Sequence, residues 1–239
     1  MYLENLVFDA MDPRLLGRFW QSVVGATALT DEPDAFETRL SIGGGPVLDL
    51  CFQRVPEQPS EPLRLHLDLF GGPGQADEVD RVLALGAHHL DIGQGDVPWV
   101  VLADVEGNPF CVMEDREAYV DTGPIAALPL DSADPDRDAE FWSWLTGWTG
   151  APGVAPRTLR HPSRRGPLLE LCPEESGKEE AKNRLHLDVR LEPGDDPDRI
   201  AAEIVERGGT EFHPDWGDLP WRLYRDPSGN EFCVLPLPT

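Results

Sequence analysis

Two short runs carry the residue types best suited to chemistry. Arg64-Leu65-His66-Leu67-Asp68-Leu69 and Arg184-Leu185-His186-Leu187-Asp188-Val189 alternate polar with apolar residues. In an extended strand successive side chains point to opposite faces. His66 therefore shares a face with Asp68, and His186 with Asp188, while the leucines occupy the other face. An imidazole beside a carboxylate can serve as a general base whose charge the carboxylate tunes. It can equally be a structural pair on a polar strand face, and its occurrence twice puts the structural reading slightly ahead. Trp99 and Trp221 each follow a proline and precede a strand-like stretch. They suit the wall of a site for a flat, partly apolar ligand as well as they suit a core. Trp20 and Trp142 sit beside phenylalanine in helical patterns and read as core. The neighbours His88 and His89 point apart in a strand and cannot easily share a metal. No Gly-x-Ser-x-Gly elbow occurs, and Gly43-Gly44-Gly45 lacks the Lys-Ser/Thr of a phosphate loop.

These residues belong to a repeat. Asp9–Pro13 returns as Asp131–Pro135, Phe19-Trp20 as Phe141-Trp142, Pro98-Trp99 as Pro220-Trp221, and DVEGNPFCV from Asp104 as DPSGNEFCV from Asp226. With the His-x-Asp runs, these are matched blocks in order at a spacing of about 120 residues, too long for a solenoid and right for a duplicated domain. The cysteines follow the same rule: Cys51 matches Cys172, and Cys111 matches Cys233. None forms a Cys-x-x-Cys pair, and all lie in apolar runs. They are expected to be small core residues with free thiols rather than a disulfide framework.

The elements that must position these residues are legible in each copy. Asp12-Pro13 and Asp134-Pro135 open helices, the aspartate capping free amides and the proline fitting the first turn. Gly25 closes the first helix. A second helix, closed by Gly86 or Gly208, follows each His-x-Asp strand, and a strand, an Asp-x-x-Gly-Asn turn and a final strand end each copy. Helices with one apolar stripe must cover a sheet face, which leaves the other face free to curl into a cup.

Composition sets outer bounds. The 239 residues hold 20 Lys+Arg against 44 Asp+Glu, a net charge of −24. Such a chain repels nucleic acid and anionic membranes. No apolar run reaches the roughly 20 residues of a membrane span, and Met1–Asp12 lacks a secretory pattern. A cytoplasmic protein is the expectation.

The blocks DP…FW, RLHLDL, Leu85-Gly86-Ala87 and DVEGNPFCV, each with its second copy, resemble the vicinal oxygen chelate superfamily, and most closely its glyoxalase-like, bleomycin-resistance-like branch. The resemblance implies an α+β fold with two tandem glyoxalase-like domains, 1–118 and 123–239. Each would be built of paired βαβββ modules forming a curved, mostly antiparallel cup with helices outside. It also implies where a divalent metal would sit. The first-strand ligand falls on Asn5 and Ala127, the fourth-strand ligand on Asp49 and Glu170, the fifth on His66 and His186, and the eighth on Cys111 and Cys233. Alanine cannot ligate and asparagine is a weak donor, so the reduced sets are Asp49, His66, Cys111 and Glu170, His186, Cys233. Because FCV is an apolar run, the reading in which the cysteines are simply buried prevails, and no cofactor is expected although a divalent metal has candidate ligands.

Two functions from different classes follow. One is a cup that binds a small organic molecule without a catalytic metal, using His66, Asp68, Trp99, His186, Asp188 and Trp221. The other is a metal-dependent lyase, isomerase or dioxygenase. Either predicts a small-molecule ligand, no nucleic-acid or membrane partner, and a monomer or homodimer. The sequence leaves enzyme activity open.

Overall fold

The computed structural model describes residues 1–57, 63–178, 181–214, 217 and 219–238. Four modules follow one another. The first is β1 (Tyr2–Ala10), α1 (Pro13–Val24), β2 (Thr27–Asp31), β3 (Ala35–Ser41) and β4 (Val47–Arg54). The second is β5 (Asp68–Gly72), α2 (Gln75–Ala84), β6 (His88–His89), β7 (Val100–Ala103) and β8 (Pro109–Glu114). A single 3-10 turn, Glu117–Tyr119, leads to β9 (Ile125–Ser132), α3 (Pro135–Thr146), β10 (Thr149–Gly150), β11 (Arg157–Arg160) and β12 (Leu168–Pro173). The fourth module is β13 (Leu185–Arg190), α4 (Pro197–Glu206), β14 (Thr210–Phe212), β15 (Arg222–Arg225) and β16 (Glu231–Leu235).

The caps form as their residues require. An Asp12 side-chain oxygen accepts from the Leu15 amide at 3.1 Å, and Asp134 accepts from Arg137 at 3.2 Å. Gly25 and Gly147 end their helices at φ 69° and 71°, a left-handed conformation that costs glycine little.

Among the described residues the strands form two eight-stranded, mostly antiparallel sheets, ordered β14-β15-β16-β13-β1-β4-β3-β2 and β10-β11-β12-β9-β5-β8-β7-β6. Each sheet therefore takes one module from each copy of the repeat. The first module pairs with the fourth through antiparallel β1 and β13, and the second with the third through antiparallel β5 and β9. The repeat divides the chain in the middle, while the sheets join its ends to each other and its middle to itself.

What unites each copy is the packing behind the sheets. Leu102, Phe110 and Val112 point into the large shared core, whereas Val101, Cys111 and Met113 face the opposite, open side. The α1 helix packs on β3 and β4, and its Trp20 ring meets Phe110 of the other sheet at 5.1 Å between centroids. The α3 helix does the same in reverse, Trp142 meeting Phe232 at 5.4 Å. The indole Nε1–H of Trp20 donates to Asp104 at 3.1 Å, and that of Trp142 donates to Asp226 at 3.1 Å. The aspartates in turn organise the Asp-x-x-Gly-Asn turns: Asp104 accepts from the amides of Glu106 and Asn108, and Asp226 from those of Ser228 and Asn230. The repeated Trp and Asp blocks are thus two ends of one contact.

Candidate functional site in the cup of modules one and four

The open face of the first sheet, here cup A, holds a cavity of about 410 Å³. Its floor comes from β1, β4, β13 and β16. Asn5 and Asp188 lie opposite each other across β1 and β13, and Asp188 lies beside Cys233 across β13 and β16. Strand alternation then places His186, Asp188, Asn5, Cys51 and Cys233 on the cavity side, and Leu185, Leu187 and Val189 in the core. Trp221, Phe212 and Leu219 form an apolar wall.

The polar group is tight. His186 Nε2 stands 3.4 Å from Asp188 Oδ1 and 3.7 Å from Cys233 Sγ. The Asn5 side-chain amide donates to Asp188 Oδ2 at 3.2 Å. Burial and the adjacent Asp188 carboxylate push the Cys233 thiol well above its ordinary range, so it is neutral at physiological pH. His186 Nδ1 and Asp188 Oδ1 are buried without a hydrogen-bond partner among the described residues. Such atoms carry a desolvation cost that a ligand would relieve.

The open face of the second sheet, cup B, carries the counterpart group. His66 Nε2 is 3.4 Å from Asp68 Oδ1. Burial opposes charge on His66, but the Asp68 carboxylate, with Asp131 and Glu170 behind it, outweighs that effect and raises its pKa. Burial and Asp68 drive the Cys111 thiol far upward. The His66 run departs from expectation. It is not strand throughout: β5 begins only at Asp68, after an isolated bridge between Leu65 and Leu130. The His66 amide donates to the Pro129 carbonyl at 3.2 Å, and proline has no N–H to return. Where β1 pairs Val7 with His186, β9 offers Pro129, and the ladder opens.

Exchange of modules also re-sorts the ligand sets that the resemblance implied. Asp49 belongs to the sheet of His186 and Cys233, and Glu170 to that of His66 and Cys111. The sets Asp49-His66-Cys111 and Glu170-His186-Cys233 are therefore split, because the fourth strand of each copy shares a sheet with the fifth strand of the other copy. The family's four positions are altered or engaged in both cups. Asp49 is held by both arms of Arg39 at 2.8 and 2.7 Å, and Asn5 spends its amide on Asp188. In cup B, Ala127 supplies no donor and Glu170 accepts from the Val154 amide at 3.1 Å. What the structure does assemble is a different triad in each cup, His66-Asp68-Cys111 and His186-Asp188-Cys233, with one ligand atom of each residue within 4.8 Å of the others.

Arg64 and Arg184, the first residues of the two His-x-Asp runs, are not among the residues that line the cavity. Arg64 is buried and donates to Asn230 at 2.9 Å, and Arg184 donates to Asn108 at 3.2 Å, tying the two copies together. Cys51, Gln53 and Glu37 line the cavity and escaped sequence reasoning, although for Cys51 and Gln53 the alternation of β4 from Asp49 carried the signal; Glu37 lies opposite Cys51 on β3. All four cysteines are free, and three are buried.

The profile of the glyoxalase-like domain matches the sequence twice, over residues 5–113 and 127–235. No curated protein sequence matches the chain. Among solved structures, glyoxalase I from Zea mays superposes on 98% of this chain and 92% of its own, with a TM-score of 0.66 at 13% identity. A putative dioxygenase from Bacillus subtilis covers 100% of this chain and 86% of its own, with a TM-score of 0.59 at 16% identity. Likeness at these identities is a likeness of fold.

Proposed function

Because the chain belongs to the glyoxalase-like domain family, with the domain present twice, we propose that it binds a small, partly aromatic or amphipathic organic molecule in cup A without a catalytic metal. We take the two copies as residues 1–118 and 123–239. The observation that carries the reading is the cavity of about 410 Å³, a size typical of small-molecule sites, with Trp221 and Phe212 on its wall and polar side chains, among them Asn5, His186 and Asp188, in its lining. His186 and Asp188 are the polar anchors: His186 Nδ1 and Asp188 Oδ1 await partners. Asn5 fixes the Asp188 carboxylate, and Trp221 stacks on the ligand. His66, Asp68 and Trp99 are the same positions in cup B. The test is a ligand screen read by tryptophan fluorescence. A hit should lose at least about tenfold in affinity on His186→Ala, the loss of one hydrogen bond to a buried group. Unchanged affinity overturns the reading.

One observation favours a second reading, a divalent metal that would make the protein an enzyme. The separations of 3.4 and 3.7 Å from His186 Nε2 to Asp188 and Cys233 match the edges of a tetrahedral site with one nitrogen, one oxygen and one sulfur donor. Bound there, the metal would polarise a ligand oxygen. Stoichiometric metal in protein purified without chelator, lost on Cys233→Ala and kept on Asp49→Ala, would establish this reading over the first.

A further inference from the structure

The repeat lets the two cups be compared wall by wall. Trp221, Cys233, Leu235 and Asn5 of cup A correspond to Trp99, Cys111, Met113 and Ala127 of cup B. In cup A all four line the open cavity. In cup B the counterparts belong to one apolar cluster whose buried aromatic ring is Tyr119. Tyr119 is only 1% exposed, yet it comes from neither a strand nor a core helix. It ends the 3-10 turn of the segment that joins the copies.

That segment is built to hold the ring in place. The Tyr119 amide donates to the Arg116 carbonyl at 3.0 Å, and the Thr122 hydroxyl donates to the Tyr119 carbonyl at 3.0 Å. The Arg116 guanidinium lies 5.6 Å from the centroids of both Tyr119 and Trp99, spanning the two rings. Asp121 at φ 60° and Gly123 at φ 79° then turn the chain back out toward β9. The phenol sits within the electrostatic reach of Asp68 and Glu170, one residue from each copy, and so at the polar end of the cup.

We propose that Tyr119 is a built-in occupant of cup B, standing where cup A takes its ligand, so that the chain has one open site and a second, phenol-shaped site filled from within. The inference rests on the reading of cup A as a ligand site. It predicts that cup B accepts a free phenol once the tyrosine side chain is removed.

The experiment compares full-length wild type, Tyr119→Ala and Tyr119→Phe for uptake of 4-methylphenol, which is the tyrosine side chain as a free molecule. Calorimetry should show one more equivalent bound by Tyr119→Ala than by wild type, and that extra equivalent should survive an added His186→Ala change. At ten times its Kd, 4-methylphenol should raise the folded-to-unfolded ratio of Tyr119→Ala about tenfold beyond its effect on wild type. Tyr119→Phe keeps the ring in the cup and should bind like wild type. A folded Tyr119→Ala with no extra uptake overturns the proposal, and so does a wild type that already binds two equivalents. Should Tyr119→Ala not fold alone, 4-methylphenol must restore its folding, and failure to do so overturns it as well. Failure of the cup A reading would look different: the extra equivalent in Tyr119→Ala would appear while His186→Ala left every screened ligand's binding to wild type unchanged.

Discussion

Replacing Trp142 with phenylalanine should loosen a cup to whose sheet Trp142 does not belong. Trp142 rides on α3 above the second sheet, but its indole donates to Asp226 Oδ2 at 3.1 Å, in the turn that leads into β16 and Cys233 of cup A. Both residues are buried, at 1% and 3% exposure. Losing a donor to a buried charged group costs about 1.5–3 kcal/mol. The smaller ring leaves a void worth about 1–2 kcal/mol more, so Trp142→Phe should destabilise by about 2.5–5 kcal/mol. Asp226→Asn attacks the other end. Oδ1 accepts the Ser228 and Asn230 amides at 2.9 and 2.8 Å, and Oδ2 accepts Trp142 and the Asn230 side chain at 3.1 and 3.0 Å. A carboxamide has one oxygen, so one pair of donors must face an NH₂ group, at a cost of about 2–3 kcal/mol. The double variant loses the shared bond only once and should fall short of additivity by about 1.5–2 kcal/mol. Urea denaturation followed by far-UV circular dichroism at neutral pH measures all four corners. Additivity within about 0.5 kcal/mol would refute the claim that this bond fastens the two sheets.

Three further outcomes follow from the same geometry. Burial pushes the Asp226 carboxyl up from 3.8 to about 6, so the fold favours its neutral form; its contribution is full below about 3.8 and is lost as pH rises through about 6, a change of about 3 kcal/mol. The stability gap between wild type and Asp226→Asn should therefore narrow from pH 4 to 7, and parallel profiles would contradict this. Asp68→Asn should lower the pKa of His66, which Asp68 holds up, and titration of the His66 ring resonance by NMR reads it directly; an unmoved value would place the cause elsewhere. Residues 1–118 expressed alone leave β1 and β5 without their antiparallel partners β13 and β9, so this fragment should self-associate through those edges, and a stable monomer in light scattering would count against the exchange of modules.

Much of the fold was legible because its signals are local. Asp12-Pro13 and Gly25 mark the ends of α1 through bonds made within four residues, and the alternation in Leu185–Arg190 sets which side chains face the core. The His-x-Asp-and-Cys groups were recoverable for the same reason: each lies within one module, with its Asp and Cys on strands that pair directly. Asp49 and Glu170 were assigned to the wrong cups because their placement depends on which modules pair. The runs at Arg64–Leu69 and Arg184–Val189 are almost the same sequence, so β1 finds equally good alternation in either, and no local propensity separates the two pairings. The role of Trp20 and Trp142 was half visible. Helical spacing called them core, but only the fold shows that their indole N–H groups explain the Asp-x-x-Gly-Asn turns. Tyr119 left no periodic trace, since it is a single side chain in a joining segment.

Exchange of modules has a chemical consequence. If each copy formed its own cup, a change in one copy would alter one site. Here every cup draws its fifth and eighth strands from one copy and its first and fourth from the other, so the two sites diverge through all four modules. The differences are concentrated where they matter for a ligand. Asn5 faces Asp188 in cup A, whereas Ala127 stands in its place in cup B. Val7 continues the ladder with His186, whereas Pro129 breaks it beside His66. The His186 side chain is accordingly 8% exposed in a regular strand, while that of His66 is 33% exposed ahead of one. Arg190 lines the cavity of cup A where cup B has Phe70, a partly buried ring packed against the Tyr119 cluster. Two of these changes, Asn5 to Ala127 and Arg190 to Phe70, replace a polar side chain with an apolar one in cup B, which suits a permanently seated tyrosine ring. Asp188 Oδ1 in cup A and Asp68 Oδ1 in cup B are both buried without a partner among the described residues, but only cup A adds an unsatisfied imidazole atom, His186 Nδ1, for a ligand from solution to satisfy. Duplication supplied two sites of one architecture, and the sequence differences between them divide along the line between an occupant carried by the chain and one that must be recruited.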